Sequence, residues 1–297
     1  MNPREKGFLL LTSHLGDPGR RPLTAAQLRT LAQRMQTIEA PTADRDLTPG
    51  DLVRLGYSRD MAAHILDLLS QEDVLEHYLL RAKKLGCTPI TRVSEAYPLL
   101  LRKRMGQDSP GCLWAKGDVS FLKTPAIALV GSRDLREPNR QFAQAVGTYA
   151  AQQGLTLVSG NARGADKTAQ NACLSAGGKV ISIVADALAG HPLRENVLYL
   201  SEEDFDAEFS AQRAISRNRC IHVLGRMVFV AQAALEKGGT WDGTVKNLRF
   251  GWSSVACFRD GSEASQQLEQ LGAYLIGMED LEDMGSLLKS NDNLFDR

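Results

Sequence analysis

The sequence has no charge imbalance and few of the signatures that name a chemistry outright. Its 35 Lys and Arg balance 35 Asp and Glu over 297 residues, which excludes a polybasic coat for nucleic acid at the level of the whole molecule. Cysteine is scarce: Cys87, Cys112, Cys173, Cys220 and Cys257 are scattered, odd in number and without a Cys-x-x-Cys pair. Reduced thiols and a cytoplasmic setting are therefore expected, and a disulfide scaffold is not. His14, His64, His77, His191 and His222 show no ligand spacing with one another or with the cysteines, so no metal is expected. Long apolar runs are missing too. The start, Met-Asn-Pro-Arg-Glu-Lys-Gly, leads only into the short run Phe8 to Leu11, and neither a signal peptide nor a membrane span is expected. There is no repeat of 20–50 residues and no low-complexity tract. The phosphate-loop motif Gly-x-x-x-x-Gly-Lys-Ser/Thr, a Gly-x-Gly-x-x-Gly after the first predicted strand of the alternating region, and the nucleophile elbow Gly-x-Ser-x-Gly are all absent.

What is present begins with charge position. Residues 1–120 carry 17 basic and 14 acidic side chains, 121–258 carry 15 and 12, and 259–297 carry 3 and 9. Neutrality is thus the sum of a mildly basic body and an acidic end. With 43% hydrophobic and 24% charged residues, the chain is long enough to bury a substantial core.

Residues 1–90 read as a helical N-terminal module. Leu28, Leu31, Ala32, Met35 and Ile38 recur at helical spacing within 23–38. Thr48 and Pro49 form a helix start, Ser58 caps a helix carrying Met61, Ile65, Leu68 and Leu69, and a third helix runs from about Asp73 to Leu85. Leu55-Gly56-Tyr57 joins two of these helices, a helix-hairpin-helix pattern open to phosphate contact or to packing alone. Residues 91–120 read as a connector, 121–280 as a Rossmann-like domain and 281–297 as an acidic tail. In the Rossmann-like domain, short apolar runs at 126–130, 155–158, 180–184, 227–230, 254–258 and 273–276 alternate with helical patterns, which predicts an α/β fold with a parallel sheet and crossover helices.

Ligands of such a sheet bind beyond the carboxyl ends of its strands. Gly131, Ser132 and Arg133 follow the first predicted strand of this domain, and Ser159, Gly160, Arg163, Gly164 and Asp166 follow the second. Glycine admits close backbone approach, hydroxyls donate hydrogen bonds, and arginine forks onto phosphate. Arg217, Asn218 and Arg219 follow Ser216, a candidate cap. Cations at a helix start oppose its dipole, which points to an anion among them. A helix starting near Ala211 would instead place Arg213 and Arg217 on one solvated face. Lys237, Gly238, Gly239 and Thr240 form a further phosphate-friendly loop before a helix. Asp166 is open to three roles: capping its helix, orienting Arg163, or catalysis. Trp241 is open to packing or to stacking on a base.

Val130-Gly131-Ser132-Arg133, Ser159 to Asp166, and Arg217-Asn218-Arg219, with Tyr97-Pro98 and Trp114-Ala115-Lys116-Gly117-Asp118 upstream, resemble the DNA-processing protein A (DprA/Smf) family in order and content. The resemblance implies a Rossmann-like domain behind a helical module, single-stranded DNA bound in a basic pocket at the strand ends, and DNA handed to a RecA-type recombinase in recombination or transformation. Ser132, Arg133, Gly160, Arg163, Gly164, Arg217 and Arg219 would then bind phosphates, with Asn218 bracing the site. The expected partners are single-stranded DNA, a RecA-type recombinase and a second copy of the chain, with no membrane and no cofactor. The chain departs from the family at Gly238 to Thr244, at the acidic stretch within 185–210, and after about 280, where no winged-helix tail fits. A non-enzymatic DNA binder is the leading expectation. The alternative is a nucleotide-derivative sensor or a phosphoribohydrolase-like enzyme, whose Pro-Gly-Gly-x-Gly-Thr-x-x-Glu motif lacks its acid here, since Val245-Lys246-Asn247 follow Thr244.

Overall fold

The computed structural model describes residues 1–37 and 47–292. Ile38, the last apolar position of the first helical pattern, lies outside the described residues.

Five helices open the chain: α1 (Pro3–Thr12), α2 (Ala25–Met35), α3 (Pro49–Arg54), α4 (Arg59–Leu69) and α5 (Glu72–Lys84). Local chemistry sets where the first four start. Asn2, Thr24 and Thr48 each form a capping box, and Ser58 accepts from Met61 N. Each such cap satisfies a backbone donor worth about 1 kcal/mol. Leu31, Leu52, Ile65 and Leu68 bury one face each of α2, α3 and α4 in a small core of their own. By contrast, α1 and α5 turn Leu9, Leu10, Leu75 and Tyr78 into the main core against the sheet. The module is thereby fused to the larger domain.

The remaining elements are β1 (Thr88–Thr91), α6 (Leu99–Met105), β2 (Cys112–Lys116), β3 (Ala126–Val130), α7 (Glu137–Gln152), β4 (Thr156–Ser159), α8 (Ala165–Ser175), β5 (Val180–Ile183), β6 (Val197–Ser201), α9 (Ala211–Ser216), α10 (Asn218–Leu224), β7 (Met227–Val230), α11 (Gly238–Phe250), β8 (Ser254–Phe258), α12 (Glu263–Gln270), β9 (Tyr274–Ile276) and α13 (Met284–Asp292). They form one nine-stranded sheet in the order β1-β2-β6-β5-β4-β3-β7-β8-β9. Strands β6 through β9 pair in parallel, and β1 and β2 extend the edge antiparallel. Every residue of β3, β4, β5 and β7 is buried, as a sheet covered on both faces requires. Phe142 and Val146 of α7 pack on one face with Ala165 and Ala169 of α8. On the other face lie Leu101, Val223, Trp241 and Leu268 from α6, α10, α11 and α12.

The α/β architecture and the helical N-terminal region agree with expectation, and three strands add to it. The stretch read as a connector, 91–120, contains β2, and β1 ends at its first residue; Leu113, Trp114 and Ala115 are core residues. Strand β6 follows β5 without a crossover α-helix, having only a short 3-10 turn at Leu188–Gly190, so no helical period announced it. In the stretch read as an acidic tail, Leu281, Met284 and Leu288 are buried in the main core, while Glu282 and Asp283 between them are exposed.

The chain runs outward from β3 through β4, β5 and β6, then returns to the other side of β3 as β7, β8 and β9. That reversal between β3 and β7 is where an open α/β sheet leaves a crevice at its strand ends.

Candidate nucleic-acid interface

A cleft of about 610 Å³ lies at this reversal. Its floor is built by the loop after β3, where Ser132 N donates to the Gln232 carbonyl at 2.9 Å and Ala165 N donates to the Ser132 carbonyl at 3.1 Å. Gln232 also ties the loop through its side chain, accepting from Arg136 N at 2.9 Å and donating to the Asp134 carbonyl at 3.1 Å. The loop is thus held by β7's extension and by the start of α8.

Arg217 sits at the junction of α9 and α10, buried, with Nη1 donating to the Ile183 carbonyl at 2.8 Å. Its guanidinium lies directly on Gly160, where any Cβ would overlap it. Gly164 is equally constrained: with φ of 83° and the Ser132 and Arg133 carbonyls against its Cα, it admits no side chain. Between these glycines, Asn161 takes a left-handed φ of 59°, a conformation asparagine tolerates better than most residues. Arg217 Nε is buried with no partner. Burial pushes the guanidinium pKa below its ordinary value and Arg133 pushes it the same way, while Asp166 opposes them. A buried cation with an unpaired donor is stabilised by an anion arriving beside it.

Asp166 does not cap its helix, since α8 starts after Gly164 without any side-chain cap. It is buried in the first turn of α8 and accepts from Ala162 N at 3.1 Å, which holds the β4–α8 loop and fills the anion-favouring end of that helix. Burial raises its carboxyl pKa, against the pull of Arg217. Arg163, which Asp166 was open to orienting, instead pairs with Asp134 at 2.7 Å in a pair whose side chains are 74% and 86% exposed.

A further helix start at the cleft is that of α11. Its cap position is Lys237, no side chain caps it, and Gly238, Gly239 and Thr240 form its first turn at the cleft. The unpaired N–H groups of that turn face an anion site by construction. Asn218 Nδ2 donates to the Gly239 carbonyl at 3.1 Å and so braces this turn against α10. Among the described residues, Arg133 and Lys237 have neither a carboxylate partner nor any hydrogen bond from their side chains, and both line the cleft with Arg217. Phe209 and Ile215, 60% and 53% exposed, supply an apolar wall.

Of the candidates read from the sequence, the cleft brings together Gly131, Ser132, Arg133, Asp166, Arg217 and Asn218 with Gly238, Gly239 and Thr240. Five others serve it indirectly or lie outside. Ser159 is fully buried and accepts from Gln170 Nε2 at 2.5 Å, because a hydroxyl at a strand end inside the sheet must satisfy a core amide. Gly160 and Gly164 are spacers, and Arg163 is on the exposed rim. Arg219 turns away from the cleft to pair with Glu202 at 3.1 Å and to reach the Asp108 carbonyl at 3.3 Å. Ser216 does not cap: α9 begins at Ala211 under Ser210, and Arg213 is buried among the Ala185, Ala207 and Glu208 carbonyls, not solvated. Trp241 packs in the core. Sequence reasoning missed Phe209, an isolated apolar residue in an irregular segment, and Ile215, which lies in the short helix α9, because neither carries a periodicity. Lys237 was quoted with its loop but not placed in the site.

No three His, Cys, Asp or Glu side chains among the described residues are grouped to hold a metal ion. All five cysteines are free thiols, and among the described residues no helix is long and apolar enough to cross a membrane.

The family model for DNA recombination-mediator protein A matches residues 88–284, beginning at the first residue of β1 and spanning the whole sheet and every cleft element. The DNA processing protein DprA of Streptococcus pneumoniae is 28% identical over 246 residues, covering 78% of this chain and 85% of that protein. Protein Smf of Escherichia coli is 32% identical over 156 residues, 49% of this chain and 41% of that protein. Among solved structures, DNA processing protein A from S. pneumoniae superposes with a TM-score of 0.66 at 24% identity, covering 89% of this chain and 98% of that one. The structure describing a single-stranded DNA binding mode of DNA processing protein A from Helicobacter pylori superposes with a TM-score of 0.57 at 22% identity, covering 69% and 97%. At these identities the superpositions establish the shared fold, and the family model, matching well over half the chain, establishes that this protein belongs to the DNA recombination-mediator protein A family, also called DprA or Smf.

Proposed function

We propose that this protein binds the phosphates of single-stranded DNA in the cleft at the β3–β7 reversal and acts in cytoplasmic DNA recombination, presenting the strand to a RecA-type recombinase. One observation carries the reading. Two cations without carboxylate partners among the described residues, Arg133 and Lys237, line the cleft with the buried Arg217 and the uncapped first turn of α11, and an exposed apolar wall lies beside them. That combination suits a strand whose backbone is anionic and whose bases have apolar faces. Family membership and the single-stranded DNA binding mode described for the H. pylori protein support it. Glu is absent from the cleft lining and Asp166 is committed to backbone donors, so the site offers no free carboxylate for hydrolysing a nucleotide.

The test is fluorescence anisotropy with a labelled oligothymidylate, beside adenosine monophosphate, over a salt series. Binding of the oligonucleotide that weakens steeply with salt and is lost in Arg217→Ala is expected. Binding indifferent to both, or release of free base from the monophosphate, overturns the proposal.

A further inference from the structure

We infer that the single strand continues out of the β3–β7 cleft along α11 and stacks a base on an aromatic platform formed by Phe250 and Trp252. The inference rests on the reading of the cleft as a DNA site and adds to it a subsite for bases. A groove of about 230 Å³ adjoins the cleft, and Ile215, Asn218 and Gly239 line both. From there it passes Asp242 and Lys246 of α11 and reaches Trp252. Gly239 and Phe250 stand about 16 Å apart along the helix, so the platform lies well beyond the cleft itself. The groove is smaller than an ordinary small-molecule site, which takes about 300 Å³ or more, and so suits one flat ring better than a whole separate ligand.

The local structure holds the platform rigid. Helix α11 ends at Gly251, whose left-handed φ of 62° turns the chain back on itself. Asn247, fully buried, fixes that turn: its carbonyl accepts from Gly251 N at 2.8 Å and from Trp252 N at 3.3 Å, and its Oδ1 accepts from Ser253 N at 2.9 Å. The rings of Phe250 and Trp252 are thereby stacked, with centroids 5.5 Å apart and 15° between their planes. Trp252 is half-buried against the core beneath α11, whereas Phe250 lies outside that core and is 61% exposed. A single exposed apolar residue is ordinary on a surface, but a stacked aromatic pair at the end of a groove that opens from a binding cleft offers a ready face for another flat ring.

Charge and continuity name the occupant. Lys246 in the groove and Arg249 beside Phe250 are exposed and have no carboxylate partner among the described residues, against one exposed acid, Asp242. Arg219 also lines the groove, with its charge engaged by Glu202. Cations interleaved with aromatic rings, leading away from a cleft that suits phosphate, match a polyanion whose bases present π faces, and stacking of this kind accepts any base.

The full chain is titrated with labelled oligothymidylates of about four and about sixteen nucleotides and with an abasic chain of the longer length, read by anisotropy and by tryptophan fluorescence. Phe250→Ala is expected to bind the longer oligonucleotide about tenfold more weakly than wild type, and the shorter one, held by the cleft, equally well. The abasic chain should not distinguish the two proteins. Of the three tryptophans, Trp114 and Trp241 are 1% and 7% exposed, so quenching by the longer oligonucleotide should come from Trp252 and vanish in Trp252→Phe. An unchanged affinity of Phe250→Ala for the longer oligonucleotide, or quenching that survives in Trp252→Phe, overturns the inference, and the cleft reading stands as long as the shorter oligonucleotide still needs Arg217. Binding of neither length overturns both. Altered sedimentation of free Phe250→Ala, with both affinities unchanged, assigns the platform to contact with a second copy of the chain and also overturns the inference.

Discussion

Arg133→Ala isolates the electrostatics of the β3–β7 cleft better than any other single change. Its side chain is exposed and unpartnered among the described residues, so its loss is expected to shift stability by no more than about 0.5 kcal/mol. If Arg133, Arg217 and Lys237 each neutralise one phosphate of a single strand, the logarithm of affinity falls with the logarithm of salt at a slope of about −2. Between 50 and 200 mM salt the wild-type protein should then lose roughly twentyfold in affinity, and Arg133→Ala only roughly sevenfold, since its slope drops to about −1.4. At the lower salt the variant should already bind roughly tenfold more weakly, the worth of one charge-assisted hydrogen bond. The assay is anisotropy of a labelled oligothymidylate at four salt concentrations, with melting temperature as the control for folding. An unchanged slope in a folded variant would refute the assignment of Arg133 to a phosphate.

Gly160→Ala places a methyl group where the Arg217 guanidinium lies, displacing it from the Ile183 carbonyl; oligonucleotide affinity should fall by about tenfold and the melting temperature with it, as overpacking costs about 1–3 kcal/mol. A variant with wild-type affinity would show that Arg217 acts from elsewhere. Asp166 has its carboxyl pKa raised by burial, so on acidification it protonates sooner than an ordinary carboxyl and its charge beside Arg217 is removed. Wild-type affinity for the oligonucleotide should therefore rise on acidification, and Asp166→Asn should bind more tightly at pH 7 and lose that rise; weaker binding by the variant at every pH contradicts this. His222 is fully buried with both ring nitrogens unpartnered, and burial lowers its pKa to about 4 from 6.5. Its folded pKa lies below the unfolded one, so stability is intact above pH 6.5 and declines as pH falls, by about 3 kcal/mol at pH 4. Urea unfolding of His222→Leu at pH 7.5 and 4.5 should show a smaller acid loss than wild type, and an equal loss removes His222 as a cause.

The sequence by itself determined the elements whose physics is local. Capping residues Thr48 and Ser58 marked the starts of α3 and α4, and continuous apolar runs marked the strands that the sheet buries on both faces. Gly/Ser/Arg loops after β3 and β4 marked the edge of the sheet where a ligand fits, because a chain alternating strand and helix can place such loops only at the strand ends. Tertiary structure decided what each arginine does. Arg163, Arg217 and Arg219 are alike in the sequence, yet one pairs with Asp134 in solvent, one is buried on Gly160, and one is captured by Glu202, a residue of the segment after β6. A side chain's partner is set by which distant segment folds against it, and β6 itself, with β1 and β2, was invisible to periodicity because its neighbours supply the pairing. The same long-range packing separated the acidic run after β6 from the cleft, and so gave a chain of zero net charge a cleft rich in cations.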